Sequence, residues 1–309
     1  MLTAHREGRR LLLPTSGTTG SPRTIVRTTA SWWDSFEAYA DLSGVAAGAR
    51  LWIPGPLTAT MNLFAAVHAR VAGATLADEP GATTHACLTP AQLDRLGDRL
   101  PDGTAVVVAG DRLPAALAER AGGSGTSGRL RISHYYGAAE LSFVAAGSSA
   151  DALSAFPGVE VELRDGVIWV RSAYLSEGYA AGDGPLRRDG DWATVGDTGR
   201  WDRGRLTVLG RPDHVVTAGA TVSLADVEAA LAGVAVGPVA VCGLPHPTLG
   251  SVLAAVLTDP ADREPLRAWA REHLPPAQRP RHWHVLPALP TTPAGKVDRA
   301  ALTEAVSVD

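Results

Sequence analysis

Cysteine is scarce in this chain, and its two cysteines, Cys87 and Cys242, lie far apart in the sequence. They form no C-x-x-C pair, and both stand among small apolar residues, as buried free thiols do. The pattern therefore argues against a disulfide framework and against a cysteine metal site.

An excess of positive charge is also absent, since the 309 residues carry a formal net charge of −4. Without a basic field, neither nucleic acid nor an anionic membrane is expected as the main partner. The N-terminal stretch MLTAHREGRR contains no apolar signal core, and no apolar run approaches the length that spans a membrane. We therefore predict a cytoplasmic protein.

The composition is that of a soluble globular protein, with 45% hydrophobic and 19% charged residues, and the length allows about two domains. In the first two-thirds, short apolar runs alternate with helical stretches, which predicts a mainly parallel sheet with helices. Between 159 and 209, short alternating strands predict a small antiparallel part. We expect an N-terminal domain over 1–210 and a small α+β domain over 211–309.

Individual elements can be placed from the hydrophobic period. Helices are predicted over 29–42, 62–72, 114–121, 223–231 and 262–273, and strands over 50–53, 105–109, 131–134, 239–242, 252–257 and 282–286.

Residues 15–23 read TSGTTGSPR and directly follow the apolar run Leu11–Leu13. The glycines allow the backbone to curl its amides around phosphate oxygens, and Arg23 can neutralise them. The stretch is not a Walker loop, because no G-x-x-x-x-G-K-[ST] occurs in the chain. A plain Ser/Thr/Gly-rich turn has the same composition, so this segment alone leaves both interpretations open.

Four segments decide between them: TSGTTGSPR (15–23), YYGAAE (135–140), GDTGRWDRGRLTVLGRPD (196–213) and LPTTPAGKVDR (289–299). In this order they resemble the motifs of the ANL superfamily of adenylate-forming enzymes, which holds acyl-CoA and aryl-CoA ligases, peptide-synthetase adenylation domains and luciferases. The resemblance covers 11–302. It implies a shortened α/β large domain, followed by a small mobile α+β domain that carries a catalytic lysine.

The resemblance implies ATP, Mg²⁺ and CoA as cofactors and a carboxylic acid as substrate. Activation brings two anions together, so the site needs cations and amides around the phosphates. The implied triphosphate loop consists of Thr15, Ser16, Gly17, Thr18, Thr19, Gly20 and Arg23. The implied adenine segments contain Gly110, Asp111, Arg112, Tyr135, Tyr136 and Gly137.

Five further positions match single functional residues of the family. By resemblance, Glu140 binds Mg²⁺, Asp197 binds the ribose hydroxyls, and Arg211 faces ribose and phosphate. Lys296 would bridge the incoming carboxylate and the α-phosphate, and Asp213 would be the hinge of the small domain. Glu140, Arg211 and Lys296 are thus the predicted catalytic residues. Taken singly, Glu140 could cap a helix, Asp197 could close a β-turn, and Lys296 could be a surface lysine.

The chain also departs from the family pattern. Arg23 stands where a lysine is usual, which keeps the charge but changes its geometry, and Ala139 replaces a threonine before the acid. We expect weaker binding of nucleotide or metal rather than its loss. The short form of 213–223 is most similar to o-succinylbenzoate–CoA ligases. The predicted acyl pocket is small and neutral, which favours an aliphatic or aryl acid; its members are Thr58, Thr60, Met61, Ala109, Leu141, Ser142 and Phe143.

Only about ten residues precede Leu11, where complete relatives have a whole lobe before the phosphate loop. The flank that such a lobe covers would expose apolar surface, so we predict a homodimer. A strictly monomeric sedimentation profile would contradict this prediction.

The leading functional hypothesis is an AMP-forming acid–thiol ligase that passes the acyl group to CoA. Alternatives are transfer to a separate carrier protein, direct formation of an amide or ester, and a degenerate binder of nucleotide or acyl-adenylate without catalysis. No G-x-S-x-G elbow supports a hydrolase. His282 and His284 have the spacing of a metal-ligand pair, but on an alternating strand they more often share an exposed face. Trp32 and Trp33 are interpreted as core or dimer contacts.

Overall fold

A computed structural model describes residues 2–14, 23–122, 129–210, 214–291 and 297–307 of the chain. Backbone contacts divide these residues into two compact units, one within 2–210 and one within 214–307. The predicted boundary near Arg211 falls on residues 211–213, which lie outside the described ranges.

In the described residues the α-helices are α1 (Leu2–Arg6), α2 (Ala30–Trp33), α3 (Phe36–Ser43), α4 (Thr60–Val71), α5 (Pro90–Leu96), α6 (Ala115–Gly122), α7 (Leu224–Ala232), α8 (Arg263–His273) and α9 (Arg299–Val306). Short 3₁₀ turns span Pro80–Ala82, Gly97–Arg99, Pro260–Asp262 and Pro276–Gln278.

The strands of the first unit are β1 (Arg10–Pro14), β2 (Thr24–Thr28), β3 (Arg50–Trp52), β4 (Thr75–Ala77), β5 (His85–Leu88), β6 (Thr104–Val108), β7 (Leu130–Ala138), β8 (Ser142–Gly147), β9 (Leu153–Ala155), β10 (Val159–Arg164), β11 (Val167–Ser172), β12 (Gly178–Tyr179), β13 (Arg187–Asp189), β14 (Trp192–Thr194), β15 (Thr198–Asp202) and β16 (Arg205–Gly210). Those of the second unit are β17 (His214–Thr217), β18 (Ala220–Ser223), β19 (Val239–His246), β20 (Gly250–Leu257) and β21 (His282–Val285).

A large sheet organises the first unit. Strands β4, β3, β5, β6 and β7 lie side by side and parallel, as the alternation of strands and helices predicts. From β7 onward the pairing becomes antiparallel, through β8, β9, β16, β15, β11, β14 and β13, with β10 beside β11. The antiparallel strands outnumber the parallel ones, because hairpins continue the same sheet instead of forming a separate layer. The α/β class expected from the sequence is confirmed, but the sheet is not mainly parallel as expected, since its parallel part is the smaller one.

A second, three-stranded sheet consists of β1, β2 and β12, all antiparallel. In β2 the side chains alternate, so that Ile25 and Arg27 are buried while Thr24 and Val26 are half-buried. Its buried face packs into the main core with Leu13 of β1 and Leu141. This small sheet lies next to residues 139–140, because Arg27 and Tyr179 both contact that segment.

The helix predicted over 29–42 is wrong as one element, because the structure has two helices there. The first ends at Trp33, and Ser35 lies between it and the second, which begins at Phe36. Ser35 is fully buried, and its hydroxyl donates a hydrogen bond of 2.8 Å to the carbonyl of Trp32. A serine bonded to its own chain in this way competes with continued helical pairing. Trp32 is a core residue, as expected, with 2% of its surface exposed.

The second unit is α+β, as predicted. Strands β18, β17, β20 and β19 pair antiparallel, and β21 lies parallel to β20. One cluster packs α7 and α8 against the sheet, and another packs α9 against it. Both cysteines are buried free thiols, which confirms that prediction. No helix among the described residues is long and apolar enough to cross a membrane.

Candidate functional site

Several predicted site residues lie at or after the carboxyl ends of parallel strands in the large sheet. Thr58 comes after β3, Gly110 after β6, and Gly137 lies near the end of β7. Because carboxyl ends of parallel strands meet at one edge of a sheet, this edge is where an open α/β fold binds ligands. The structure therefore brings the predicted acyl-pocket and adenine segments to one edge. A Cβ placed on Gly110 would lie 3.7 Å from the sulfur of Met61.

Gly110 begins the first adenine segment with a φ of +84°, a left-handed conformation that favours glycine. The next two residues are fixed by polar contacts. The Asp111 carboxylate accepts a 2.6 Å hydrogen bond from the amide of Arg112. Burial raises the pKa of Asp111 to about 6, although that hydrogen bond opposes the shift. Arg112 donates to the carbonyl of Val208 at 3.0 Å and pairs with Asp151.

The end of β7 and the turn from it to β8 carry the second segment, YYGAAE. The register of this hairpin shifts between Tyr136 and Gly137, which marks a bulge. A Cβ on Gly137 would overlap the carbonyl oxygen of Ser142 and lie 3.1 Å from its carbon. Ser142 itself has a φ of +62°, so the chain turns back sharply here. This tight turn presents Glu140, which is 7% exposed.

Two side chains of the three-stranded sheet contact this acid segment. Tyr179 donates its hydroxyl to Glu140 Oε1 at 2.8 Å, and Arg27 donates from Nη2 to the carbonyl of Ala139 at 2.9 Å. Burial and the neighbouring Glu140 carboxylate raise the pKa of Tyr179, so the phenol stays a donor at neutral pH. Burial lowers the pKa of Arg27 to about 10, which still leaves it protonated.

The implied Mg²⁺ fits one carboxylate here. Mg²⁺ is commonly bound through one or two carboxylates, with waters and substrate phosphates completing its shell. Among the described residues, Oε1 of Glu140 accepts from Tyr179 while no hydrogen bond reaches Oε2. No group of three or more His, Cys, Asp or Glu side chains in the described ranges could form a closed metal cage. A single carboxylate of this kind suits an ion whose other ligands are waters and nucleotide phosphates.

Asp197 lies in the turn between β14 and β15, directly after Gly196 with a φ of +83°. Its carbonyl accepts from the amide of Ile168 at 2.8 Å, which fixes the backbone against β11. Its carboxylate accepts a hydrogen bond of 2.6 Å from the hydroxyl of Tyr136. The structure thus joins a predicted adenine residue to the predicted ribose residue.

The phosphate loop is described only at its end. Arg23 donates from Nε to the carbonyl of Asp183 at 3.0 Å. The other predicted positions of the loop, the hinge and two catalytic residues lie outside the described residues: Thr15, Ser16, Gly17, Thr18, Thr19, Gly20, Arg211, Asp213 and Lys296.

The predicted acyl pocket divides into buried and accessible members. Ala109 and Leu141 are fully buried, and Phe143 is stacked on Phe156 in the aromatic core. Thr58 is exposed, and the half-buried members are Thr60, Met61 and Ser142. The assignment of all seven to a pocket stays a prediction.

The rings of His282 and His284 lie 6.3 Å apart on β21. No further His, Cys, Asp or Glu within the described ranges joins them as a metal group.

The sequence reasoning missed Arg27 and Tyr179. Arg27 stands in the run Thr-Ile-Val-Arg-Thr, where a charged residue suggests an exposed position. The available signal was its spacing of two from the apolar Ile25, which places both on one face of a strand. Tyr179 gave no signal of its own, because its contact with Glu140 spans 39 residues of sequence.

This chain is similar to several known proteins. Residues 226–296 match the family model of the AMP-binding enzyme C-terminal domain. The chain is 31% identical to a probable 2-succinylbenzoate–CoA ligase of Mycobacterium tuberculosis, over 94% of this chain and 83% of that protein. It is 28% identical to the uncharacterised acyl–CoA ligase YhfT of Bacillus subtilis, over 93% of this chain but only 66% of that protein's length.

Among solved structures, the amide bond synthetase McbA from Marinactinospora thermotolerans superposes with a TM-score of 0.76 at 26% identity. The match covers 96% of this chain and 69% of that one. The similar proteins thus include ligases that differ in the acceptor of the acyl group.

Proposed function

The chain belongs to the ANL superfamily of adenylate-forming enzymes, and we propose that it is an AMP-forming ligase that activates a carboxylic acid and transfers it to CoA. In the first step a carboxylate oxygen attacks the α-phosphorus of ATP, and the bond from that phosphorus to pyrophosphate breaks. In the second step a thiol sulfur attacks the acyl carbon, loses its proton, and displaces AMP.

Different predicted site residues would bind the ribose, the phosphates and the reacting groups. Asp197, oriented by Tyr136, would bind the ribose hydroxyls. Arg23 and the loop before it would neutralise the outer phosphates, and Lys296 would bridge the two reacting anions. When bound, Mg²⁺ would supply positive charge to the phosphates, with Glu140 as its protein ligand.

One observation carries the proposal of catalysis rather than mere binding. The chain contains a single lysine, Lys296, whereas its other 27 cationic side chains of the Lys/Arg class are arginines. Arg23 shows that arginine stands even at a motif position where a lysine is usual. An ammonium is a compact point charge that a planar guanidinium does not reproduce. A lysine used only at this position supports a specific chemical need there, which a non-catalytic binder lacks.

The acceptor has a second candidate. The similarity to McbA, an amide bond synthetase, favours an amine as acceptor in place of the CoA thiol. The similarity to 2-succinylbenzoate–CoA ligases favours the thiol. A separate carrier protein would also present a thiol.

The homodimer and the medium-sized aliphatic or aryl acid remain proposals, and the neutral side chains around Thr58 and Thr60 support the choice of acid.

Acid-dependent exchange between ATP and radiolabelled pyrophosphate tests the first step. A panel of aliphatic and aryl acids is assayed with the wild type and with Lys296→Ala. We expect exchange with at least one acid and its loss in the variant. CoA, an amine series or a carrier protein is then added, and the products are identified by mass. If the protein binds nucleotide but no acid in the panel supports exchange, the proposal is contradicted and the degenerate binder is supported.

A further inference from the structure

One face of the three-stranded sheet is directed at the acid segment. Ile25 and Arg27 share a face of β2 because strand side chains alternate. Tyr179 of β12 is the registered partner of Ile25, so its side chain projects from the same face. The strand that leaves the phosphate loop therefore presents a guanidinium, and its neighbour presents a phenol, to residues 139–140.

Arg27 is unusual for its place. It is 1% exposed, and among the described residues its Nε has no hydrogen-bond partner. Burying a cation with an unsatisfied donor is unfavourable, and the nearby Glu140 carboxylate offsets only part of this cost, since the pKa of Arg27 still falls to about 10. Packing alone therefore does not explain an arginine here. Its Nη2 donates to the Ala139 carbonyl, the last backbone acceptor before Glu140.

Tyr179 holds the acid itself, with a defined direction. The amide of Leu186 donates to the Tyr179 hydroxyl at 3.2 Å, so the hydroxyl's only proton is directed to Glu140 Oε1. The chain is also closely packed against this ring, because a Cβ on Gly184 would overlap it. On the other side of the acid, the amide of Ser176 donates to the Glu140 carbonyl at 2.9 Å.

From this geometry we propose that Arg27 and Tyr179 are positioning residues for Glu140. Arg27 fixes the backbone in front of the acid, and Tyr179 occupies Oε1, which leaves Oε2 to bind the divalent cation of the nucleotide. The inference rests on the proposed function, because it takes MgATP as the ligand.

Calorimetric titration with ATP, once with Mg²⁺ and once with EDTA, separates the cation-dependent part of binding from the rest. The variants are Tyr179→Phe, Arg27→Met and Arg27→Lys. Tyr174→Phe is the matched tyrosine control, since its hydroxyl donates to the Pro157 carbonyl at 3.1 Å. Arg279→Met is the matched arginine control, since its Nε donates to the Leu274 carbonyl at 2.7 Å.

Loss of a hydrogen bond to a charged group should lower the affinity for MgATP about tenfold in Tyr179→Phe and in Arg27→Met. The affinity for ATP in EDTA should change less than about twofold, and Arg27→Lys should recover part of the loss. The melting temperature of Arg27→Met should fall, because removing the guanidinium leaves the buried Glu140 carboxylate without its compensating charge. The two control variants should bind MgATP like the wild type.

The inference would be overturned if the variants lost the same affinity for ATP with Mg²⁺ as without it. It would also be overturned if Tyr179→Phe bound MgATP as tightly as the wild type, or if Mg²⁺ did not change the affinity of the wild type for ATP. If Arg27→Met fails to fold, Tyr179→Phe decides, because it removes one oxygen only. The proposed function fails separately. If no acid supports pyrophosphate exchange but the variants show the expected loss of MgATP affinity, the ligase is rejected and the inference on Glu140 stands. If exchange occurs but Tyr179→Phe binds MgATP like the wild type, the inference is rejected and the ligase stands.

Discussion

The hydroxyl of Tyr136 donates a hydrogen bond of 2.6 Å to Oδ2 of Asp197, across 61 residues of sequence. Tyr136 lies at the bulge of the β7–β8 hairpin, and Asp197 lies in the turn before β15. A charge-assisted hydrogen bond of this length helps to orient the carboxylate. The predicted adenine and ribose positions are therefore in direct contact, and a substitution of Tyr136 should change the orientation of Asp197.

Tyr136→Phe tests this coupling, because it keeps the ring and removes only the donor. Without its hydrogen bond, Asp197 should orient less well, and we expect the KM for ATP to rise about tenfold. The ratio of the KM values for ATP and for 2′,3′-dideoxy-ATP, which lacks both ribose hydroxyls, should move towards one in the same variant. Tyr174→Phe, which loses a tyrosine hydroxyl bonded to a main-chain carbonyl, serves as control. Unchanged discrimination in Tyr136→Phe would show that the tyrosine does not orient the ribose site.

Lys296→Ala should lower the rate of adenylate formation by at least about 100-fold, since it removes a charge between two reacting anions. Thioester formation from a supplied acyl-adenylate should be spared, because that step no longer joins two anions. Lys296→Arg should not restore the first step, since its charge is spread over a planar group. Exchange assays and single-turnover thioester assays measure the two steps. Equal loss in both would contradict the assigned role.

Gly137→Ala should destabilise the hairpin that carries Glu140. The new methyl group would overlap the Ser142 carbonyl, which is backbone and cannot turn away. Overpacking of this kind costs about 1–3 kcal/mol, so the melting temperature should fall. Gly81→Ala is the matched control, because a Cβ there meets nothing within 4 Å. A normal melting curve for Gly137→Ala would mean that the bulge opens without cost.

Asp111→Asn should change how stability depends on pH. Burial raises the pKa of Asp111 from an ordinary value of 3.8 to about 6. An acid shifted upward stabilises the fold fully below its unfolded pKa, and this contribution is lost as the pH rises through about 6. Relative to the variant, the wild type should therefore lose up to about 2 kcal/mol of unfolding free energy between about pH 4 and pH 6. Denaturant titrations across this range measure the difference, and a constant difference would contradict the shift.

Much of the fold could be predicted, because it rests on local periodicity. The alternation of strands and helices indicated the parallel strands β3, β6 and β7, and apolar runs located β20 and β21, whereas the short strands β4 and β5 were missed. The split between α2 and α3 was missed, since the apolar spacing continues through Ser35. The structure shows that the first helix ends at Trp33, where the buried Ser35 hydroxyl donates to the Trp32 carbonyl.

The sequence by itself determined the family of this protein and the order of its motifs, because each motif is a continuous stretch whose residue types follow from phosphate chemistry. It also determined that Lys296 is the sole lysine. The tertiary structure alone decided how these stretches meet. Tyr136 reaches Asp197, and Tyr179 and Arg27 reach residues 139–140, over 39 to 112 positions of sequence. Such contacts depend on strand register and on which face each strand buries, and neither can be read from a single motif.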